Sequence, residues 1–334
     1  MVDQIISDDC ARTTGGSGGR RVAVLIACKN GEATIGNAVR SAVGQADVFV
    51  VSDGSTDGTV REAQLAGARV LIRRTSAGKP AALRAGNAHF ELARRYEYVA
   101  VLDDDTVLAA HYMERVLAKI DGDEDVAAAS GRIDSIWDHA HRWNPLIAHD
   151  APYAIDDMYW LAEIARKRMG RVAYVHDARS WTIDPHRLGD WYRQTLRWCW
   201  GQFQSIRGHR LGIPVRRGGA LGVRFSWFDA AYLLLLVDWL AYALEPVLIV
   251  PVAYWFKGWI DPIWFPILYV ATSGAWIAVA AAALRKPRLV LLIPAILALD
   301  LVYRVAMLHA VAKTALWPRI ETCRWDSPAR FELD

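Results

Sequence analysis

Three carboxylates stand side by side at Asp103-Asp104-Asp105, directly after the apolar run Val99-Ala100-Val101-Leu102. Adjacent carboxylates repel, and burying them uncompensated costs roughly several kcal/mol. A divalent cation removes that penalty. At this D-x-D spacing Asp103 and Asp105 can hold Mg2+ or Mn2+, directly or through water, leaving positions open for phosphate oxygens. The alternative is an acidic turn between a strand and a helix, with Asp105 or Thr106 as the helix cap. Other candidates are spread along the chain. Asp53, in Asp53-Gly54-Ser55-Thr56-Asp57, suits hydrogen bonds from a base or ribose, or a simple turn and cap. Lys79 either adds positive charge near a diphosphate or is a solvated lysine at a helix start. Gln194, Arg197 and Trp198 fall at i, i+3 and i+4, one face of a helix. An amide, a guanidinium and an indole there can pair a phosphate and stack a sugar ring. The same spacing also suits an amphipathic helix with Trp198 in the core.

The elements that position these residues alternate between strand and helix. Val22 to Ala27 reads as a first strand, ending in Cys28-Lys29-Asn30-Gly31-Glu32, and a helix follows near Thr34 to Val43. Val48 to Ser52 is a second strand, followed by a helix near Thr59 to Ala66 and a third strand at Arg69 to Arg73. Gly78-Lys79-Pro80 opens a long helix reaching about Tyr96, with Pro80 as a first helical residue. Val99 to Leu102 reads as a buried fourth strand and Val126 to Ile133 as a fifth. Such alternation predicts a parallel sheet covered on both faces, with ligands beyond the carboxyl ends of its strands. Asn30, Glu32, Asp53, Asp103 and Asp105 all follow predicted strands, so they fall on one edge of one sheet. That convergence favours the metal reading of the acidic triplet. A dinucleotide site is set aside because no G-x-G-x-x-G follows the first strand. Further on, Asp156-Asp157 opens a helix, where acidic residues suit the dipole. A strand at Arg171 to Val175 and the segment Thr182-Ile183-Asp184-Pro185 precede the helix that carries Gln194.

Bulk composition adds a second part. The chain has 334 residues, 53% hydrophobic, with net charge +3, too small to imply a nucleic-acid partner. Its mean hydropathy of +0.11 is uneven, because the sequence becomes almost continuously apolar beyond about residue 227. Cys10, Cys28, Cys199 and Cys323 form no C-x-x-C pair, so neither a disulfide framework nor a zinc site is expected. No signal peptide is expected, and residues 1–20, with a Gly/Ser-rich stretch from Thr13 to Gly19, read as a disordered tail.

In combination, these residues resemble the inverting, GT-A-fold glycosyltransferases that include hyaluronan, chitin and cellulose synthases. The matching series is Asn30/Glu32, Asp53-Gly54-Ser55-Thr56-Asp57, Gly78-Lys79, Asp103-Asp104-Asp105, Asp156-Asp157, Thr182 to Pro185, and Gln194-Thr195-Leu196-Arg197-Trp198. It covers about residues 22 to 202, and the last motif, Q-x-x-R-W, is the most specific. The resemblance implies an α/β, Rossmann-like GT-A domain with a mostly parallel sheet over residues 21–206, followed by an α-helical transmembrane region. It implies that Asp53 and the Asn30 to Glu32 loop bind the uridine of a UDP-sugar. Asp103 and Asp105 bind Mn2+ or Mg2+ and the diphosphate, and Lys79 adds charge there. Asp157 is the general base, and Gln194, Arg197 and Trp198 lie beside the diphosphate and the acceptor. This chain departs from the family in two places. Cys28-Lys29-Asn30-Gly31-Glu32 replaces P-A-x-N-E, displacing Glu32 by one residue. The usual Gly-rich, Arg-bearing acceptor segment is absent, and Trp137 to Pro145 with His149-Asp150 stands in its place, read as a solvated polar loop over a metal cluster.

From Trp191 to Phe228 no acidic residue occurs, while Arg193, Arg197, Arg207, Arg210, Arg216, Arg217 and Arg224 all do. Residues 207–226 therefore read as a basic interfacial segment favouring the cytoplasmic side. Residues 227–316 read as the membrane region, with apolar segments at about 227–256, 263–284 and 289–316, each long enough for a bilayer of roughly 30 Å. Asp238, Glu245, Asp300 and Arg304 lie inside them and must face other helices, headgroups or a polar path. Pro246, Pro251 and Pro294 suggest kinks or breaks. Residues 317–334 are a tail whose side of the membrane stays open. The expected protein is a multi-pass enzyme of the inner (plasma) membrane, with a carbohydrate or lipid acceptor and no nucleic acid. Its rivals are single-sugar transfer to a lipid, as in ceramide glucosyltransferases with a similar Q-x-x-R-W motif, transfer to a protein, or an inactive nucleotide-binding membrane scaffold.

Overall fold

The computed structural model describes residues 21–135, 170–183, 185, 187–208, 213–217, 220–224, 264–283 and 287–316, with isolated positions 234, 237–238, 240–242, 244 and 255. They fall into two units, the first comprising those up to residue 185 and the second those from 187 onward.

In the first unit, Val22–Cys28 (β1), Asp47–Asp53 (β2), Arg69–Arg73 (β3) and Tyr98–Leu102 (β4) form a parallel sheet in the order β3-β2-β1-β4. β1 is buried along its whole length, as an apolar run inside a parallel sheet should be. Ile35–Val43 (α1) and Thr59–Leu65 (α2) lie on one face, where Ile35, Val39 and Ala63 join Val24, Ile26 and Val50 in one apolar cluster. Lys79–His89 (α3) and the short Leu92–Arg95 (α4) border a second cluster of Ala23, Leu25, Phe49, Val51, Ala82 and Leu92. Arg21 closes the amino-terminal edge. Its guanidinium donates to Glu97 at 2.5 Å and Asp121 at 2.9 Å, and these bonds hold both carboxyls below the usual carboxylate range.

Several expectations need correction. The single helix from Pro80 to Tyr96 is broken at Phe90-Glu91, where Glu91 takes a left-handed φ of 53°. The break buries Leu92 fully and brings the Phe90 ring to 4.7 Å from Phe49. β4 is not a buried strand. It is the edge of its sheet, and Val99 and Val101 are 38% and 54% exposed. Thr106 does not cap a helix: it opens the strand Thr106–Leu108 (β5). The fifth strand runs on as Val126–Ser135 (β6), and the strand at Arg171 extends to Thr182 (β7). These two belong to a separate three-stranded sheet, β5-β7-β6, with β7 parallel to β6 and antiparallel to β5. A further helix, Tyr112–Asp121 (α5), packs against it.

The second unit begins with Leu188–Gly208 (α6), whose buried side chains include Trp191, Thr195, Cys199, Trp200 and Phe203. The basic segment holds an antiparallel strand pair, Ile213–Arg217 (β8) and Ala220–Arg224 (β9). Trp264–Ala283 (α7), a 3-10 stretch Pro287–Leu292 and Ile293–Leu316 (α8) follow. Among the described residues one helical stretch, Pro287–Thr314, is long and apolar enough to cross a membrane, and Tyr269–Ala283 is a shorter apolar one. The expected first span, 227–256, lies largely outside the described residues. Pro294 falls in the first turn of α8, directly after the change from 3-10 to α geometry. The ionisable pair of this segment is internally satisfied. Arg304 Nε donates to Asp300 at 2.9 Å, Arg304 Nη1 donates to the Tyr242 carbonyl at 2.6 Å, and the Tyr242 and Tyr269 hydroxyls also donate to Asp300. Against α8, α6 sets its Tyr192 hydroxyl 3.1 Å from His309 Nδ1, and its Trp200 ring lies 3.7 Å from Lys313 Nζ.

Candidate functional site

The carboxyl ends of β1, β2, β3 and β4 lie along one edge, because the strands are parallel and in near register: Cys28 is opposite Ser52, Asp53 opposite Arg73, and Ile26 opposite Leu102. The loops that leave this edge are tied to one another in a ring.

The loop after β1 holds the loop after β2. Asn30, at a left-handed φ of 53° that asparagine tolerates, accepts from Thr56 N–H at 2.9 Å, and its own N–H donates to Ser55 Oγ at 3.1 Å. Glu32 accepts from Gly58 N–H at 2.9 Å, and its N–H donates to Asp57 at 3.1 Å. Burial raises the Asp57 pKa, but hydrogen bonds from the Thr59 hydroxyl and the Glu32 and Thr59 N–H groups outweigh it and hold the carboxyl below its usual range.

The loop after β2 holds the loop after β3 through Asp53, which is fully buried. Its carboxylate accepts from Arg73 Nε at 2.8 Å, Ser76 Oγ at 2.8 Å, Gly78 N–H at 2.9 Å and Ala77 N–H at 3.1 Å. Protein donors thus already meet the oxygens expected to face a base or ribose. The carboxylate builds the loop that starts α3. The unmet group beside it is Arg73 Nη1, buried without a hydrogen-bond partner. Sequence reading passed over Arg73, although an arginine ending a strand at this edge was a usable signal.

Lys79, opening α3, reaches the acidic turn and donates from Nζ to Asp103 Oδ1 at 2.6 Å. Asp104 is buried and accepts from the Cys28 thiol at 2.9 Å, which closes the ring back to β1. Asp103 is about half exposed and Asp105 partly exposed. Among the described residues no group of three or more His, Cys, Asp or Glu side chains is arranged to hold a metal ion by itself. Asp103 and Asp105 instead fit the open kind of Mg2+ site, in which one or two carboxylates are completed by phosphate oxygens and water.

Gly54 turns the chain at this edge with φ 74°, and a Cβ there would lie 2.8 Å from the Ser76 backbone nitrogen. Gly54→Ala is therefore expected to lower stability by about 1–3 kcal/mol. Denaturant unfolding of the full chain checks this, and an unchanged midpoint would mean that the two loops are not packed together.

The structure thus brings Asn30, Glu32, Asp53, Lys79, Asp103 and Asp105 to one edge. Asp157 lies outside the described residues. Gln194, Arg197 and Trp198 sit on α6 in the second unit, all part-buried, and Gln194 Oε1 is buried without a partner. Trp198 is only part-buried, although it shares a face of that helix with the buried Trp191 and Thr195.

Similar solved structures include a mycobacterial protein, 18% identical over 67% of this chain and 87% of its own, with a TM-score of 0.40. Glucosyl-3-phosphoglycerate synthase from Mycobacterium tuberculosis in complex with Mg2+ and uridine diphosphate is 19% identical over 66% of this chain and 91% of its own, with a TM-score of 0.38. The same synthase with Mn2+ and UDP-glucose is 19% identical over 66% and 90%, with a TM-score of 0.37. No curated protein matches the chain. Residues 23–181, which span the parallel sheet, the ring of loops and the second sheet, match the model of glycosyl transferase family 2: the chain carries a domain of that family and is a glycosyltransferase.

Proposed function

We propose that this glycosyltransferase is a membrane-bound, metal-dependent, inverting enzyme that moves a sugar from a UDP-sugar to an acceptor hydroxyl and extends a β-linked oligo- or polysaccharide. The observation that carries the reading is the ring of four loops, which gathers a lysine and two accessible aspartates, with the buried Asp53 held by Arg73 in the same ring. The mycobacterial synthase complexes hold a divalent cation with uridine diphosphate or UDP-glucose. Here Asp103 and Asp105 would hold Mn2+ or Mg2+, which when bound neutralises the diphosphate. The loops of Asn30, Glu32 and Asp53 cradle the nucleoside. Lys79 stays beside the phosphates as a second positive charge, since it is already positioned at Asp103. An acceptor hydroxyl must lose its proton as it attacks the anomeric carbon, and Asp157 is assigned that role as a metal-free carboxylate. Gln194, Arg197 and Trp198 are assigned to the leaving diphosphate and the acceptor, where a guanidinium stabilises developing charge. Direct displacement inverts the anomeric centre. The acid-free, arginine-rich stretch before the apolar part supports a catalytic domain on the cytoplasmic face of the plasma membrane.

The test is product analysis with a panel of radiolabelled UDP-sugars, Mn2+ and native membranes. A ladder of oligosaccharides supports extension. A single organic-soluble product replaces the acceptor with a lipid, and label on protein replaces it with a polypeptide. No transfer from any UDP-sugar would overturn the donor assignment.

A further inference from the structure

The acidic turn keeps one of its three carboxylates out of water. Burial alternates through it: Leu102, Asp104 and Thr106 are buried, while Asp103 and Asp105 are partly exposed. Adjacent residues of an extended chain project to opposite sides. Here the turn is closed by Thr106 N–H, which donates to the Asp103 carbonyl at 3.2 Å. A carboxylate turned inward is costly unless a donor meets it. The Cys28 thiol, itself fully buried, donates to Asp104 Oδ2 at 2.9 Å.

The sheet explains why Cys28 is the residue that reaches it. β1 and β4 pair in parallel as far as Ile26 opposite Leu102. Two residues further along, the same register sets Cys28 level with Asp104, on the face where Ile26, Cys28 and Leu102 join one apolar cluster. Cys28 is also the last residue of β1, directly before the loop of Asn30 and Glu32. One buried contact thus joins the root of the loop assigned to the nucleoside to the middle of the turn assigned to the cation. Beyond the turn the chain is fixed separately. Thr106 pairs with Thr182 in the second sheet, and Leu108 N–H donates to Ser41 Oγ at 3.1 Å. With both flanks held, the side on which Asp103 and Asp105 stand is set by where Asp104 goes.

We propose that Cys28 is a positioning residue for the transfer reaction. By holding the Asp104 carboxylate inside the fold, its thiol keeps Asp103 and Asp105 on the outer side of the turn, spaced to receive a divalent cation with its diphosphate. Cys28 has this role only if the turn is the cation site, as proposed above. Groups that orient metal-binding side chains typically count for about 10–100-fold in metal affinity or activity.

The test is the affinity of UDP for the full chain in detergent with Mn2+, measured calorimetrically for the parent, Cys28→Ala and Cys28→Ser. Cys28→Ala removes the donor and is expected to bind about 10–100-fold more weakly. Cys28→Ser keeps a donor and is expected to restore most of that loss. A cysteine that only fills space predicts the reverse order, because alanine suits an apolar site better than a hydroxyl does. Equal affinity in all three, or a serine variant no better than the alanine one, would overturn the role. Should Cys28→Ala fail to fold, Asp104→Ala removes the same contact from the turn and must give the same loss, and full affinity there overturns the role equally. A parent that binds no UDP with Mn2+ overturns the cation-site reading and the role of Cys28 together. A parent that binds, with variants that match it, overturns the role of Cys28 alone.

Discussion

Asp53→Ala should destabilise the protein by about 3–5 kcal/mol, the cost of removing one partner from a buried ion pair. The side chain is fully buried, and Arg73 Nε, Ser76 Oγ and the Ala77 and Gly78 N–H groups all depend on it. After truncation Arg73, whose Nη1 already lacks a partner, would be a partly buried cation that has lost its carboxylate. The loop that delivers Lys79 to the acidic turn would lose its anchor as well. Denaturant unfolding of the full chain measures the effect, and a loss below about 1 kcal/mol would show that Asp53 is an exposed contact residue instead.

Asp105→Ala should lower kcat/KM for sugar transfer by about 10²–10³, the range seen when one preorganised charge-stabilising group is removed. Asp105 is partly exposed and is not part of the apolar core, so the variant should remain folded. A variant that kept full turnover would remove Asp105 from the cation site. One that lost turnover together with stability would make it a structural residue.

What the sequence disclosed of this site, and what it hid, follows from the range of the interactions. Strand–helix alternation exposed the parallel sheet, and position after a strand end was enough to put Asn30, Asp53 and Asp103 on one edge. Partners were hidden. Asp53 meets Arg73 only because β2 and β3 pair in that register, and Cys28 meets Asp104 across 76 residues. Four apolar residues at Val99 to Leu102 look alike whether a strand is central or at an edge. Nothing local says that β4 has a parallel-sheet neighbour on one side alone. Thr106–Leu108 is too short for periodicity to reveal, and its partner Thr182 is far along the chain. The pair β8–β9 did leave a signal. Two residues separate the strands, Gly218-Gly219, a composition that suits two-residue hairpin loops. Asp300 and Arg304 are legible as an i, i+4 pair, whereas the Tyr242 and Tyr269 hydroxyls that complete their group come from other segments.

The most direct test of the ring of loops as a cation-dependent diphosphate site is a UDP binding isotherm on the full chain, with Mn2+ and again with EDTA, beside the same pair for Asp105→Ala. Saturable binding to the parent with Mn2+, released by EDTA and missing from Asp105→Ala, is the predicted result. Equal UDP affinity with and without the cation, or an isotherm that Asp105→Ala leaves unchanged, would contradict it.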